Sequence, residues 1–116
     1  MNLYTCSIDL RHDARSLNFS KALADWMDYL KNAGVIRNWH LYRRKLNLAA
    51  DRYRDFMLLI EVDDMTQLDQ AFRVLGSHDE TVEALYRAVH DHVQSADFGL
   101  FRPFPDPERT ERMALL

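Results

Sequence analysis

VIRNWHLYRRKLNLAADRYRDFMLLIEV, residues Val35–Val62, decides the fold. In its first half Trp39 and Leu41 alternate with His40, Tyr42 and Arg44. In its second half Phe56, Leu58, Ile60 and Val62 alternate with Met57, Leu59 and Glu61. A period of two marks strands, predicted here over Val35–Leu46 and Arg54–Val62 with a polar turn over Asn47–Arg52. Met57 and Leu59 make the second strand apolar on both faces, the mark of a central strand covered from both sides.

Upstream, Leu3–Leu10 alternates in the same way, with Tyr4, Cys6, Ile8 and Leu10 on one face and Leu3, Thr5, Ser7 and Asp9 on the other. The charged patch Arg11-His12-Asp13 ends it. Phe19, Ala22, Leu23, Trp26, Leu30 and Ala33 then recur at helical spacing, with Ser16 predicted as N-cap and Gly34 as the left-handed residue past the end. Downstream, Asp64 with Gln67 caps a helix carrying Leu68, Ala71, Phe72 and Leu75, and Gly76 stops it. Ser77-His78-Asp79-Glu80 reads as a capping box for another, with the stripe Val82, Leu85, Tyr86, Val89 and Val93. Phe98–Phe104 is the predicted last strand, closed by Pro103 and Pro105.

The order β-α-β-β-α(α)-β around a central hairpin predicts a ferredoxin-like α+β domain over residues 1–104, with a four-stranded antiparallel sheet carrying its helices on one face. The handedness of crossovers and the need to bury both helical stripes set the strand order as fourth, first, third, second. Asp106 as N-cap and Pro107 at the first helical position predict a short helix in the tail, residues 105–116, which packs on a partner through Met113, Leu115 and Leu116.

Composition narrows the function classes. A hydrophobic content of 47% with 28% charged residues is that of one globular domain. A net charge of −3 gives no electrostatic footing for nucleic acid, and Arg43-Arg44-Lys45 reads as a charged strand end. Met1–Leu10 carries Asp9 and lacks a basic start followed by an apolar run, so no signal peptide is expected. No apolar run is long enough to span a bilayer, and Cys6 is alone. These readings place the protein in the cytoplasm, with neither membrane nor nucleic acid as partner.

The face away from the helices holds Leu3, Thr5, Ser7, His40, Tyr42, Met57 and Leu59. It is too apolar for water across a whole sheet and too polar for a sealed core. A second copy presenting the same face resolves the conflict, which predicts a homodimer. The span Leu3–Phe104, with the runs Trp39-His40-Leu41-Tyr42-Arg43-Arg44-Lys45-Leu46 and Leu100-Phe101-Arg102-Pro103-Phe104-Pro105-Asp106, resembles the dimeric α/β-barrel superfamily, and within it small bacterial members of uncharacterised function. The resemblance implies two ferredoxin-like protomers packed sheet to sheet. Superfamily members include cofactor-free monooxygenases, haem-using enzymes, lactone isomerases and polyketide cyclases, so the fold by itself selects no activity.

A hairpin centred near Ala50-Asp51 sets His40 opposite Glu61, Tyr42 opposite Leu59 and Arg44 opposite Met57. A histidine beside a carboxylate, with a tyrosine on the same face, can hold and move a proton near neutral pH. The candidate catalytic set is therefore His40, Glu61 and Tyr42, with Arg44, Asp9 and Thr5 as ligand-binding groups around a cavity between the two sheets. The expected activity is cofactor-free isomerisation, cyclisation or oxygenation of a small organic ligand, with no cofactor. The competing expectation is a non-catalytic assembly or interaction protein whose cavity is filled, and His40–Glu61 is then an ion pair that fixes register. His90 and His92, two apart on a predicted helix, point to opposite sides and make no metal site. Cys6, on the helix-packing face, is expected to be buried and inert.

Overall fold

The computed structural model describes residues 1–105. Its elements run β1 (Asn2–Leu10), α1 (Ser16–Asn32), β2 (Asn38–Arg43), β3 (Phe56–Val62), α2 (Met65–Leu75), α3 (Glu80–His90) and β4 (Val93–Phe101). The four strands form one antiparallel sheet in the order β2-β3-β1-β4, as the segment order predicts. All three helices lie on the face that carries Cys6, Ile8, Leu58 and Ile60, and the buried core joins that face to Phe19, Leu23, Trp26, Met27 and Leu30 of α1. The tail, residues 106–116, and its predicted helix lie outside the described residues.

Local chemistry accounts for the element ends. Asp64 caps α2 by accepting from the Gln67 N–H at 2.8 Å, and the Gln67 side chain reaches back to the Asp63 N–H at 2.6 Å. Gly34 follows α1 at φ +78°, a conformation that costs glycine little. Two caps differ from expectation. Helix α1 begins at Ser16 itself, with Arg15 in the cap position and no side-chain cap bond. Helix α3 is capped by Asp79, whose Oδ1 accepts from the Thr81 and Val82 N–H groups, and not by Ser77. A carboxylate there reaches two of the free helix N–H groups and also complements the positive end of the helix dipole.

The strands also differ in extent. β2 is confined to Asn38–Arg43, because Val35 and Ile36 turn into the core after α1. β4 begins at Val93, well before Phe98: Leu10 pairs with Val93 across the ladder, which takes that residue from the α3 stripe into the sheet. The central hairpin is shifted by two residues. His40 stands opposite Leu59, Tyr42 opposite Met57 and Asn38 opposite Glu61. A shift of two preserves which face every side chain occupies, so the predicted faces survive the change of partner. The connection between β2 and β3 carries Leu46 and Asn47 in left-handed backbone, at φ 56° and 54°. Asparagine adopts that region readily and leucine does not.

Candidate functional site

Two places in this fold gather chemistry, on opposite sides of the sheet. The first is the open face. One row of the ladder there reads His40, Leu59, Thr5, Gly99, and the row beside it Tyr42, Met57, Ser7, Asp97. His40 Nε2 lies 3.2 Å from Glu61 Oε2, a diagonal contact across the β2–β3 ladder. The Tyr42 ring lies 6.3 Å from the imidazole. The two side chains of the His40–Glu61 pair are 46% and 22% exposed, so in the protomer this group faces water.

Of the other site residues read from sequence, Asp9 and Arg44 belong to a second polar group on the same face, while Thr5 stays in the His40 row. Asp9 receives Arg54 Nη1 at 2.9 Å and the Asp55 N–H at 3.0 Å. Arg54 also donates to Ser95 Oγ at 2.7 Å and to Asp97 Oδ2 at 2.9 Å. Hydrogen bonding to Asp97 and then to Asp9 pushes the guanidinium above its ordinary value. Arg44 binds Asp55 at 2.8 Å, so Asp9 and Arg44 meet through Asp55 and not directly. Thr5 Oγ1 reaches the Gly99 carbonyl at 3.4 Å. A Cβ on Gly99 would come within 2.9 Å of both that hydroxyl and the Phe101 ring, so glycine is what lets the ring lie down on the open face.

The second place was not anticipated from sequence. Between the sheet and the helices lies a cavity of about 220 Å³. Tyr4, Cys6, Ile8, Leu58 and Ile60 form its floor, α1 gives Leu23, Trp26 and Met27, and α2 and α3 close the roof with Leu68, Ala71, Phe72, Tyr86 and His90. Its mouth lies beside β4, where Phe72 and Phe98 are 47% and 63% exposed. Phe72 therefore rims an opening and is not sealed in the core. Tyr4 joins the two, stacked on Phe98 at 6.0 Å and edge-on to Phe72 at 5.8 Å. Among the described residues no Asp, Glu, Lys or Arg lines the cavity. The signal for this cavity in the sequence was a set of small residues, Cys6, Ala71 and Ala96, at positions where the apolar faces otherwise carry bulk.

Burial sets the titration of the groups around this cavity. It pushes the Tyr4 hydroxyl up, with a smaller contribution from Cys6, and the Cys6 thiol up to about 12. The unfolded thiol ionises near 9.0, so Cys6 contributes stability that is complete below that pH and is lost as the pH rises from 9.0 towards 12. At pH 8 the native thiol should react with a disulfide reagent orders of magnitude more slowly than the urea-unfolded thiol; equal rates would contradict this burial. His90 lies with its ring 4.1 Å from that of Tyr86. Burial pushes its imidazole below 6.5, and Asp91 opposes part of that shift. Protonation therefore favours the unfolded chain. Stability should be unaffected by His90 above pH 6.5 and fall as the pH drops below it. Acid unfolding followed by circular dichroism should show a His90→Gln variant with a shallower decline than the parent.

Among the described residues no three His, Cys, Asp or Glu side chains gather to hold a metal ion, and no helix is long and apolar enough to cross a membrane.

Comparison with solved structures shows the class. The fold matches a dimeric ferredoxin-like protein of unknown function from Thermobifida fusca (TM-score 0.57, 16% identity, 86% of this chain and 88% of that one). It also matches a protein of Arabidopsis thaliana (TM-score 0.70, 3% identity, 89% and 95% covered). A third match is SnoaB, a cofactor-independent oxygenase from Streptomyces nogalater (TM-score 0.66, 11% identity, 89% and 92% covered). This is a ferredoxin-like α+β protein with dimeric neighbours. Residues 1–116 match a family of unknown function, DUF6614, and the chain belongs to that family. No protein of curated function matches it.

Proposed function

We propose that this protein is a cytoplasmic homodimer that joins through its open sheet face and binds a small organic molecule in the helix-side cavity of each protomer. One observation carries the reading: about 220 Å³ stands open between the layers of the domain, and a few polar groups, Tyr4, Tyr86 and His90, are among the residues that line it. A filled assembly module has no use for that volume, since each unfilled cavity weakens the fold. Dimerisation is supported by the dimeric neighbours and by Leu3, Met57, Leu59 and Phe101, which form an apolar stripe across the open face. The proposed chemistry is cofactor-free isomerisation, cyclisation or oxygenation, and SnoaB is an instance of the last on this fold.

A second reading places the ligand between the paired sheets. There His40 acts as acid or base, Glu61 orients it, Tyr42 and Arg44 hold polar substrate groups, and Asp9 and Thr5 line the wall. The 3.2 Å contact between His40 and Glu61 favours it. The two readings separate on one test. Indole, a neutral probe of suitable size, should raise the melting temperature of the native protein. Ala96→Phe, which places a ring in the helix-side cavity, should abolish that rise, and His40→Ala should leave it intact. The reverse pattern overturns the helix-side site in favour of the sheet face.

A further inference from the structure

Resting on the helix-side reading, we propose that the cavity selects an uncharged, flat ligand of one or two rings bearing a hydroxyl, which enters edge-first beside β4 and donates its hydroxyl hydrogen to His90. Four observations carry this.

The first is size. An apolar cavity of about 150 Å³ takes one benzene ring, so about 220 Å³ suits a substituted ring or a fused pair and nothing much larger. The second is charge. With no Asp, Glu, Lys or Arg among the described residues of the lining, a carboxylate, phosphate or ammonium would lose its hydration and meet no opposite charge there. That excludes amino acids, nucleotides and acidic metabolites from the interior.

The third is shape. Tyr4, Phe72 and Phe98 make a three-sided aromatic mouth in which one pair is near-parallel at 21° and the other nearly perpendicular at 84°. A flat ring can lie against the faces that these side chains present, whereas a puckered one of equal volume forfeits the offset-stacked and edge-to-face contacts. Among the described residues Phe72 and Phe98 leave much of their surface exposed, and a ligand seated in the mouth would cover both. The fourth is polarity. His90 is the lining side chain able to accept a hydrogen bond strongly while neutral, and its ring is held against Tyr86. Partial burial lowers its imidazole from the ordinary value, with Asp91 opposing, which favours the neutral ring and its lone pair.

The role of His90 is that of a binding residue that ranks ligands by their hydroxyl. The test uses the full chain, calorimetric titration at pH 7.5 and four probes of one shape: 2-naphthol, 2-methylnaphthalene, decahydro-2-naphthol and naphthalene-2-sulfonate. We expect 2-naphthol to bind at least tenfold more tightly than each of the other three. His90→Phe should bring 2-naphthol and 2-methylnaphthalene within threefold of one another, and Phe98→Ala should narrow the gap between 2-naphthol and its saturated analogue. His90→Gln, which keeps an acceptor, guards against a folding defect and should retain part of the preference. If the saturated or sulfonated probe binds as tightly as 2-naphthol while indole still stabilises the protein, the ligand class is wrong and the cavity reading stands. If 2-naphthol keeps its full advantage in His90→Phe, the assignment to His90 is wrong. If none of the probes binds and indole has no effect, both readings fall together.

Discussion

Replacing Phe19 with alanine should cost about 3–5 kcal/mol, a large fraction of the stability of a domain of this size. Phe19 is fully enclosed, with none of its surface exposed, and its ring meets that of Phe56 at 5.3 Å and a 60° tilt. The contact ties the first turn of α1 to the start of β3, an inner strand of the sheet. Neither ring lines the helix-side cavity, so the residue left behind cannot relax into existing open space. Leu23, next on the same stripe, borders the cavity directly, and Leu23→Ala should extend a void that is already there. Urea midpoints for the two variants check the argument. A loss below about 1 kcal/mol for Phe19→Ala would mean that this end of the core repacks around the missing ring, contrary to the argument.

Combining Leu59→Glu with His40→Ala should convert the proposed dimer into a folded monomer. Leu59 sits in the middle of the open face, between His40 on one side and Thr5 on the other. A carboxylate there would be desolvated by a second sheet, at a cost of several kcal/mol for an unpaired buried charge, which is comparable to a large part of a micromolar association energy. The histidine is removed because the observed pairing sets it directly opposite position 59, where an imidazolium would offer a counter-charge. In the monomer both side chains project from the sheet on the side away from the helices, so the far-ultraviolet spectrum should stay unchanged. Sedimentation velocity at micromolar concentration reads the result. A double variant that still sediments as a dimer would place the interface elsewhere.

The alternation of Leu3–Leu10, Trp39–Tyr42 and Phe56–Val62 made the faces of the sheet legible, because a two-residue period leaves one choice of inside and outside. The helix stripes were legible for the same reason. Partner identity was not. Symmetry about Ala50-Asp51 set His40 against Glu61, while the connection with its left-handed Leu46 and Asn47 closes the ladder with His40 against Leu59. The pair still meets because a glutamate can reach across the diagonal. Val93 fitted the helical spacing from Val89, and only the long-range bond pattern with Leu10 shows that the strand claims it. Asp9 was placed on the right face, but its cation is Arg54, a residue two positions before the paired strand begins, where ladder counting does not reach.

The cavity was the least legible feature. It depends on how far two layers stand apart, and three small side chains spread over β1, α2 and β4 reveal that distance only once the layers are assembled. Its lining carries no spacing that reads as a motif: aliphatic side chains, aromatic rings, one thiol pushed up to about 12 and one histidine.

The most direct measurement is a two-dimensional amide NMR titration of the native protein with indole. The shifting resonances should belong to Cys6, Tyr86, Val89 and Ala96, around the helix-side cavity, while those of His40 and Tyr42 stay in place. Shifts confined to His40 and Tyr42, or none at saturating indole, would contradict the helix-side site.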